Sequence, residues 1–318
     1  GFLGRGVMAL VAMHIVTVGT LGALLCLRID YRPRLRLRLG AARELWAFGL
    51  PVMGGRFTSI VNRQADDFII GMFLGAGPLG YYSIAYRVLT AVTDLFSRIV
   101  NEVSFPVLAR LQSQPRAMRE AWFTATRYSA ALAVPAFFGI CVLAPDVITV
   151  LFGAKWLPAT GALRILAVVG AVQSVGLYLS TVVDAAGKPT WNFGLSAVVA
   201  LLNCLVFSLV APWGIEAIAV AYGTIVVATL PVRGWMVHRL LPFSMSAYAR
   251  QLAPVLVALA MSATVALLRY GVDLTESPVW RLISTAGTGV LLYLLLVRFG
   301  CPDLWQDARC RFRSLLTS

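Results

Sequence analysis

The chain has 318 residues, 59% of them hydrophobic and only 13% charged, with a mean hydropathy of +0.81. This excludes an ordinary water-soluble domain and indicates an all-α polytopic membrane bundle, since about 20 apolar residues suffice for one spanning helix. A net charge of +13 invites a nucleic-acid reading, but the arginines crowd into short connections between apolar runs, the positive-inside pattern, so no nucleic-acid partner is expected.

In chain order the hydropathy criterion predicts about nine spans. They are Val7–Leu27, Leu45–Leu74, Leu79–Phe105, Trp122–Leu151, Thr160–Val183, Trp191–Val210, Ile215–Met236, Leu252–Leu268 and Val279–Val297. Arg28, Arg32, Arg34, Arg36, Arg38 and Arg43 fill the first connection. Arg110, Arg116, Arg119 and Arg127 flank the third, and Arg309, Arg311 and Arg313 end the chain; these segments are predicted to be cytoplasmic. The alternate connections, Gly75–Pro78, Gly153–Pro158, Ala211–Gly214 and Gly271–Pro278, contain Lys155 as their sole basic residue. The alternation is self-consistent and gives a multi-pass protein of the cytoplasmic (inner) membrane. The longest connections are 28–44, the Pro106–Ala121 loop and the Leu240–Gln251 loop, all on the cytoplasmic side and all too short for an inserted soluble domain. Gly1 rather than Met begins the chain, with no cleavable leader before the first span, so the expectation is the later part of a longer protein.

Pro51 with Gly54 and Gly55, Pro135 with Gly139, Pro145, and Pro231 with Gly234 interrupt the apolar runs and are expected to bend their helices. Proline and glycine are frequent enough in spanning helices for these to be packing features alone.

The second and third spans carry charge at helical spacing. Arg56, Ser59, Arg63 and Asp66 or Asp67 share one face of the second; Arg87, Asp94, Arg98 and Asn101 share one face of the third. With a rise of about 1.5 Å per residue through about 30 Å of hydrocarbon, Arg56 falls near the midplane and Arg87 at a similar or shallower depth. The short Gly-Ala-Gly-Pro turn makes these helices antiparallel neighbours, so the two guanidinium groups can converge on one cavity. A planar fork of donors suits phosphate or diphosphate. The competing reading is internal ion pairing, Arg63 with Asp66 or Asp67 and Arg98 with Asp94 or Glu102; Arg56 and Arg87 have no acid one turn away. Asp66, Asp67 and Asp94 can also take up a coupling cation or proton. Gln173 and Asn203 read as interhelical hydrogen-bond glue, His14 as structural and His238 as solvated.

Nothing reads as catalysis: there is no nucleotide loop, no nucleophile beside a base and no metal-ligand spacing, so neither an enzyme nor a cofactor is expected. The five cysteines, Cys26, Cys141, Cys204, Cys301 and Cys310, form no framework. The basic tail from Trp305 to Leu316 resembles an interfacial segment lying on anionic membrane lipids.

Several ordered motifs carry a family likeness. Phe48–Pro51 reads FGLP, Asp66–Gly71 reads DDFIIG, and Phe73–Arg87 reads FLGAGPLGYYSIAYR. FPVLARLQ at Phe105–Gln112, LFGAKW at Leu151–Trp156, AAGKP at Ala185–Pro189 and GIEAIAVAY at Gly214–Tyr222 follow in order. Over roughly Arg34 to Arg239 the chain resembles the polysaccharide-transporter family of lipid-linked oligosaccharide flippases, within the multidrug/oligosaccharidyl-lipid/polysaccharide exporter superfamily. The resemblance implies two six-helix lobes across a central cavity, with extra terminal helices. On that scheme 1–44 holds the last helix of the first lobe and a basic linker, 45–238 is the second lobe, and 239–318 holds two additional helices and a basic tail. Most of the first lobe is then missing, and the fragment alone is not expected to transport.

The implied function is translocation of a polyprenyl-diphosphate-linked oligosaccharide by alternating access, for O-antigen or exopolysaccharide synthesis, with a polymerase and a chain-length regulator as possible partners. Arg56 and Arg87 would contact phosphate, Arg63 and Arg98 would guide entry or exit, and Asp66, Asp67 and Asp94 would pair with them or couple to a cation. A cation antiporter of the same superfamily is the nearest alternative, disfavoured by four in-span arginines. A membrane glycosyltransferase or polymerase needs an extramembrane loop that the short connections deny. A non-transporting scaffold for envelope synthesis would keep the fold and tolerate loss of the charges.

Overall fold

A computed structural model describes residues 6–28, 64–271, 277–302, 304 and 306. The chain divides into two compact units, Gly1–Gly54 and Gly55–Ser318. The described part of the first is one apolar helix, α1 (Gly6–Arg28). In the second, α2 (64–73) leads through Gly75 into α3 (Ala76–Ile99). A π turn at Val100–Ser104 and the short α4 (Phe105–Arg110) continue it. Then come α5 (Pro115–Leu151), α6 (Thr160–Ala185), α7 (Pro189–Val210) and α8 (Ile215–Leu240). The short α9 (Met245–Gln251), α10 (Ala253–Gly271) and α11 (Pro278–Gly300) complete the described bundle, which contains no strand.

The all-α membrane bundle expected from composition is what the chain forms. Five described helices are long and apolar enough to span a membrane, or six if α9 and α10, bent by 42° at their junction, count as one span. The expected nine is larger for identifiable reasons. Most of Leu45–Leu74 lies outside the described residues, α1 counts only as the shorter apolar helix Ala12–Leu24, and α3 is not among the five; it combines Arg87, Asp94 and Arg98 with Tyr81, Tyr82 and Tyr86.

Two expected loops are helical. The Pro106–Ala121 connection narrows to four residues between α4 and α5, and the Leu240–Gln251 connection contains α9. Hydropathy measures where hydrocarbon ends, whereas a helix continues into water wherever its backbone bonds hold. The third span is not uniform either: Pro106 has no N–H for the carbonyl four residues back and its ring crowds that turn, and the wider π turn lies directly before it. By contrast α5 runs helical through both Pro135 and Pro145.

The helix α6 is central, packing against α3, α5, α7 and α8. Close approach depends on its small residues. A Cβ on Gly170 would lie 2.6 Å from Leu89 and 2.7 Å from the Phe137 ring tip. Gly223 on α8 is similarly pressed, a Cβ there lying 2.7 Å from Val169. Tyr82, Phe137, Leu163, Leu166, Phe207 and Ile218 fill the resulting core. A second cluster at the arginine-rich end stacks Trp122 on Tyr248 and sets it edge-on to Phe243, fastening α9 beneath the bundle. At the opposite end Gly153 (φ 94°) and Gly214 (φ 98°) turn the chain in a conformation that L side chains avoid, which is why the LFGAKW and GIEA motifs need glycine there.

Candidate functional site

Of the sequence-predicted residues, Arg56 and Arg63 lie outside the described residues. Arg87, Asp94 and Arg98 do share one exposed face of α3, as their spacing of seven and four requires. At about 1.5 Å per residue, the two arginines are roughly 16 Å apart along the helix axis.

Asp66 and Asp67 stand elsewhere. The Asp66 carboxylate is buried; it accepts a hydrogen bond from the Tyr82 hydroxyl at 3.0 Å and one from the Asp67 backbone N–H at 3.0 Å. Ser83 donates to Asp67 at 3.2 Å. These contacts fasten α2 to α3, and among the described residues the donors to both carboxylates are hydroxyls and a backbone amide.

Beside the charged face of α3, a cavity of about 320 Å³ opens between α3, α6, α7 and α8. It is built from two parallel stripes at helical spacing. One is Tyr86, Thr90, Thr93 and Ser97 on α3; the other is Tyr222, Val226, Thr229 and Arg233 on α8. Gln173 of α6 and Asn203 of α7 complete the polar part. Gln173 donates to the Tyr222 hydroxyl at 2.5 Å, so it does join α6 to α8 as expected of interhelical glue, while also lining open space. The Tyr86 and Tyr222 rings lie 6.4 Å apart at 60°. Asp94 and Arg233 are the charged residues among those that line it.

Arg233 is the residue that sequence reasoning missed. Its guanidinium donates to the Ser180 hydroxyl, and its Nε–H is buried with no hydrogen-bond acceptor among the described residues. Nearby, Asn192 donates to the Ser180 carbonyl and to Asp184, each at 2.8 Å, closing α6 against α7. The signal was available: the stripe from Tyr222 to Arg233 repeats the spacing of the α3 stripe, but hydroxyls among apolar residues do not stand out in hydropathy.

A second buried charge group lies between α5, α10 and α11. Asp146 is wholly buried and accepts from Arg269 at 2.7 and 3.2 Å and from Arg281 at 2.6 and 2.8 Å. Its three members are far apart in sequence, so no local pattern exposes them.

Residues 1–161 match a family described as "Polysaccharide biosynthesis protein". The chain is 27% identical over 283 residues to the teichuronic acid biosynthesis protein TuaB of Bacillus subtilis, covering 87% of this chain and 58% of that protein. It is 26% identical over 163 residues to the lipopolysaccharide biosynthesis protein WzxC of Escherichia coli, covering 51% of this chain and 33% of the relative. It thus spans well under two thirds of these relatives. Among solved structures, the lipid II flippase MurJ in an inward-closed conformation superposes with a TM-score of 0.73 at 17% identity, covering 89% of this chain and 59% of that one. At that identity the likeness establishes the fold alone, a membrane helical bundle.

Proposed function

Because the chain belongs to the polysaccharide biosynthesis protein family, we propose that it serves to translocate a lipid-diphosphate-linked oligosaccharide across the cytoplasmic membrane for assembly of a surface polysaccharide. The observation that carries this reading is the face of α3, where Arg87, Asp94 and Arg98 remain exposed on a helix whose neighbours are apolar spans. Charge at membrane depth is retained where it faces a cavity or a substrate path. The names of two relatives, a teichuronic acid biosynthesis protein and a lipopolysaccharide biosynthesis protein, support a glycan cargo.

In this reading 45–238 is the second lobe of a two-lobe exporter and 239–318 contributes two further helices and a basic tail. Arg56 and Arg87 hold the diphosphate; Arg63 and Arg98 guide its approach. Asp94 balances the arginines of its own face, and Asp66 and Asp67 couple their helix to the next or to a cation. The lipid tail stays in the bilayer while the lobes rock between inward and outward openings, and no bond is broken. A polymerase and a chain-length regulator receive the exported unit.

The test is Arg87→Ala and Arg98→Ala in the complete exporter, with surface polysaccharide measured in cells that have no other copy. Loss of a charge-assisted contact to phosphate predicts a fall of about tenfold or more. Wild-type polysaccharide levels, with the variants present in the membrane at normal abundance, would refute the role.

A further inference from the structure

The cavity between α3, α6, α7 and α8 has a lining unlike that of an ion site. We propose that it is a subsite for a sugar ring of the transported glycan, an inference that rests on the translocation reading above. Its volume of about 320 Å³ is at the small end of the range for small-molecule sites. Hydroxyls come from Tyr86, Thr90, Thr93, Ser97 and Tyr222, and amides from Gln173 and Asn203. Thr90 and Thr93 donate to the Tyr86 and Leu89 carbonyls of their own helix and Gln173 donates to Tyr222, so the threonine oxygens face the cavity as acceptors beside the Arg233 Nε–H donor, a mixture that the hydroxyls of a polyol can answer together. A phosphate only accepts and would leave those lone pairs unanswered, while a metal ion only takes lone pairs and would leave the Arg233 Nε–H without an acceptor.

Charge points the same way. Arg233 and Asp94 put one charge of each sign in the lining, so the lining carries no net charge of its own to select an ion. The buried Nε–H of Arg233, without an acceptor among the described residues, is a donor that a sugar oxygen would satisfy. The tilted pair Tyr86 and Tyr222 adds apolar ring surface suited to the C–H faces of a pyranose. A lipid tail, by contrast, would leave these polar groups unanswered, whereas the groove between α6 and α8 lined by Val168, Val172, Val220 and Val227 is almost wholly apolar.

The test uses the purified complete exporter in lipid nanodiscs and isothermal titration with three separate probes. These are the oligosaccharide released by mild acid from the host's own lipid-linked glycan, inorganic pyrophosphate, and sodium chloride. The expected result is saccharide binding that weakens about tenfold in Thr93→Val and in Tyr222→Phe, near-isosteric changes that keep the bundle folded, as unchanged unfolding midpoints would show. Absence of saccharide binding, or equal binding in both variants, overturns the subsite. Pyrophosphate binding that disappears in Arg233→Gln, or sodium binding that disappears in Asp94→Asn, overturns it in favour of an ion. Surface polysaccharide measured after deletion of the exporter keeps the two claims apart: if export persists, the translocation reading falls, whereas export that needs the protein without saccharide binding removes the sugar subsite alone.

Discussion

On the α5–α10–α11 side of the bundle, the Asp146 carboxylate is wrapped by two guanidinium groups at 2.6 to 3.2 Å and has no exposed surface. On the α3–α6–α7–α8 side, Asp94 and Arg233 line open volume, and Arg87 and Arg98 stay exposed beside it. Both regions spend charge within an apolar protein, and they differ in whether the charge is closed off. A buried carboxylate clamped by two guanidinium groups holds helices together; charge that borders a cavity can also meet something that is not protein. Stability should therefore depend on the first region and transport on the second.

The comparison breaks most easily at Asp146. Replacing it with Ala leaves two adjacent guanidinium groups without their shared counter-charge, and about 3–5 kcal/mol of stability should be lost, measured as the unfolding midpoint of the detergent-solubilised protein. Next is Gly170→Ala, which drives a methyl into Leu89 and the rigid Phe137 ring; a loss of about 2 kcal/mol is expected by the same measurement. Tyr82→Phe removes the hydroxyl hydrogen bond to buried Asp66 and should cost about 1 kcal/mol. The smallest stability effect belongs to Arg87→Ala and Arg98→Ala, within about 0.5 kcal/mol of wild type because both side chains are exposed. If either arginine proves as costly to remove as Asp146, the division between holding and handling is wrong.

Much of the bundle was legible because hydropathy marks the hydrocarbon. The expected Thr160–Val183 and Ile215–Met236 begin where α6 and α8 begin, and the expected Trp122–Leu151 ends where α5 ends. At the arginine-rich end each helix runs on past the apolar stretch, as α5 does from Pro115, since a polar helix is as permissible in water as a loop. The charged face of α3 followed directly from periodicity. The cavity did not, because it needs Gln173 and Asn203, which read singly as glue, to meet hydroxyl stripes from two other helices. Asp146, Arg269 and Arg281 were invisible for a different reason: pairing across 123 and 135 positions is a property of packing, not of any window of sequence.

The 37-residue α5 is about 55 Å long at the standard rise, nearly twice the thickness of the hydrocarbon layer. Near its start Trp122 is gripped by Tyr248 of α9, and near its finish Asp146 is gripped by α10 and α11. A beam bolted at both ends cannot swivel independently of what it is bolted to. By that geometry α5 and the C-terminal helices α9 to α11 are expected to tilt as one body.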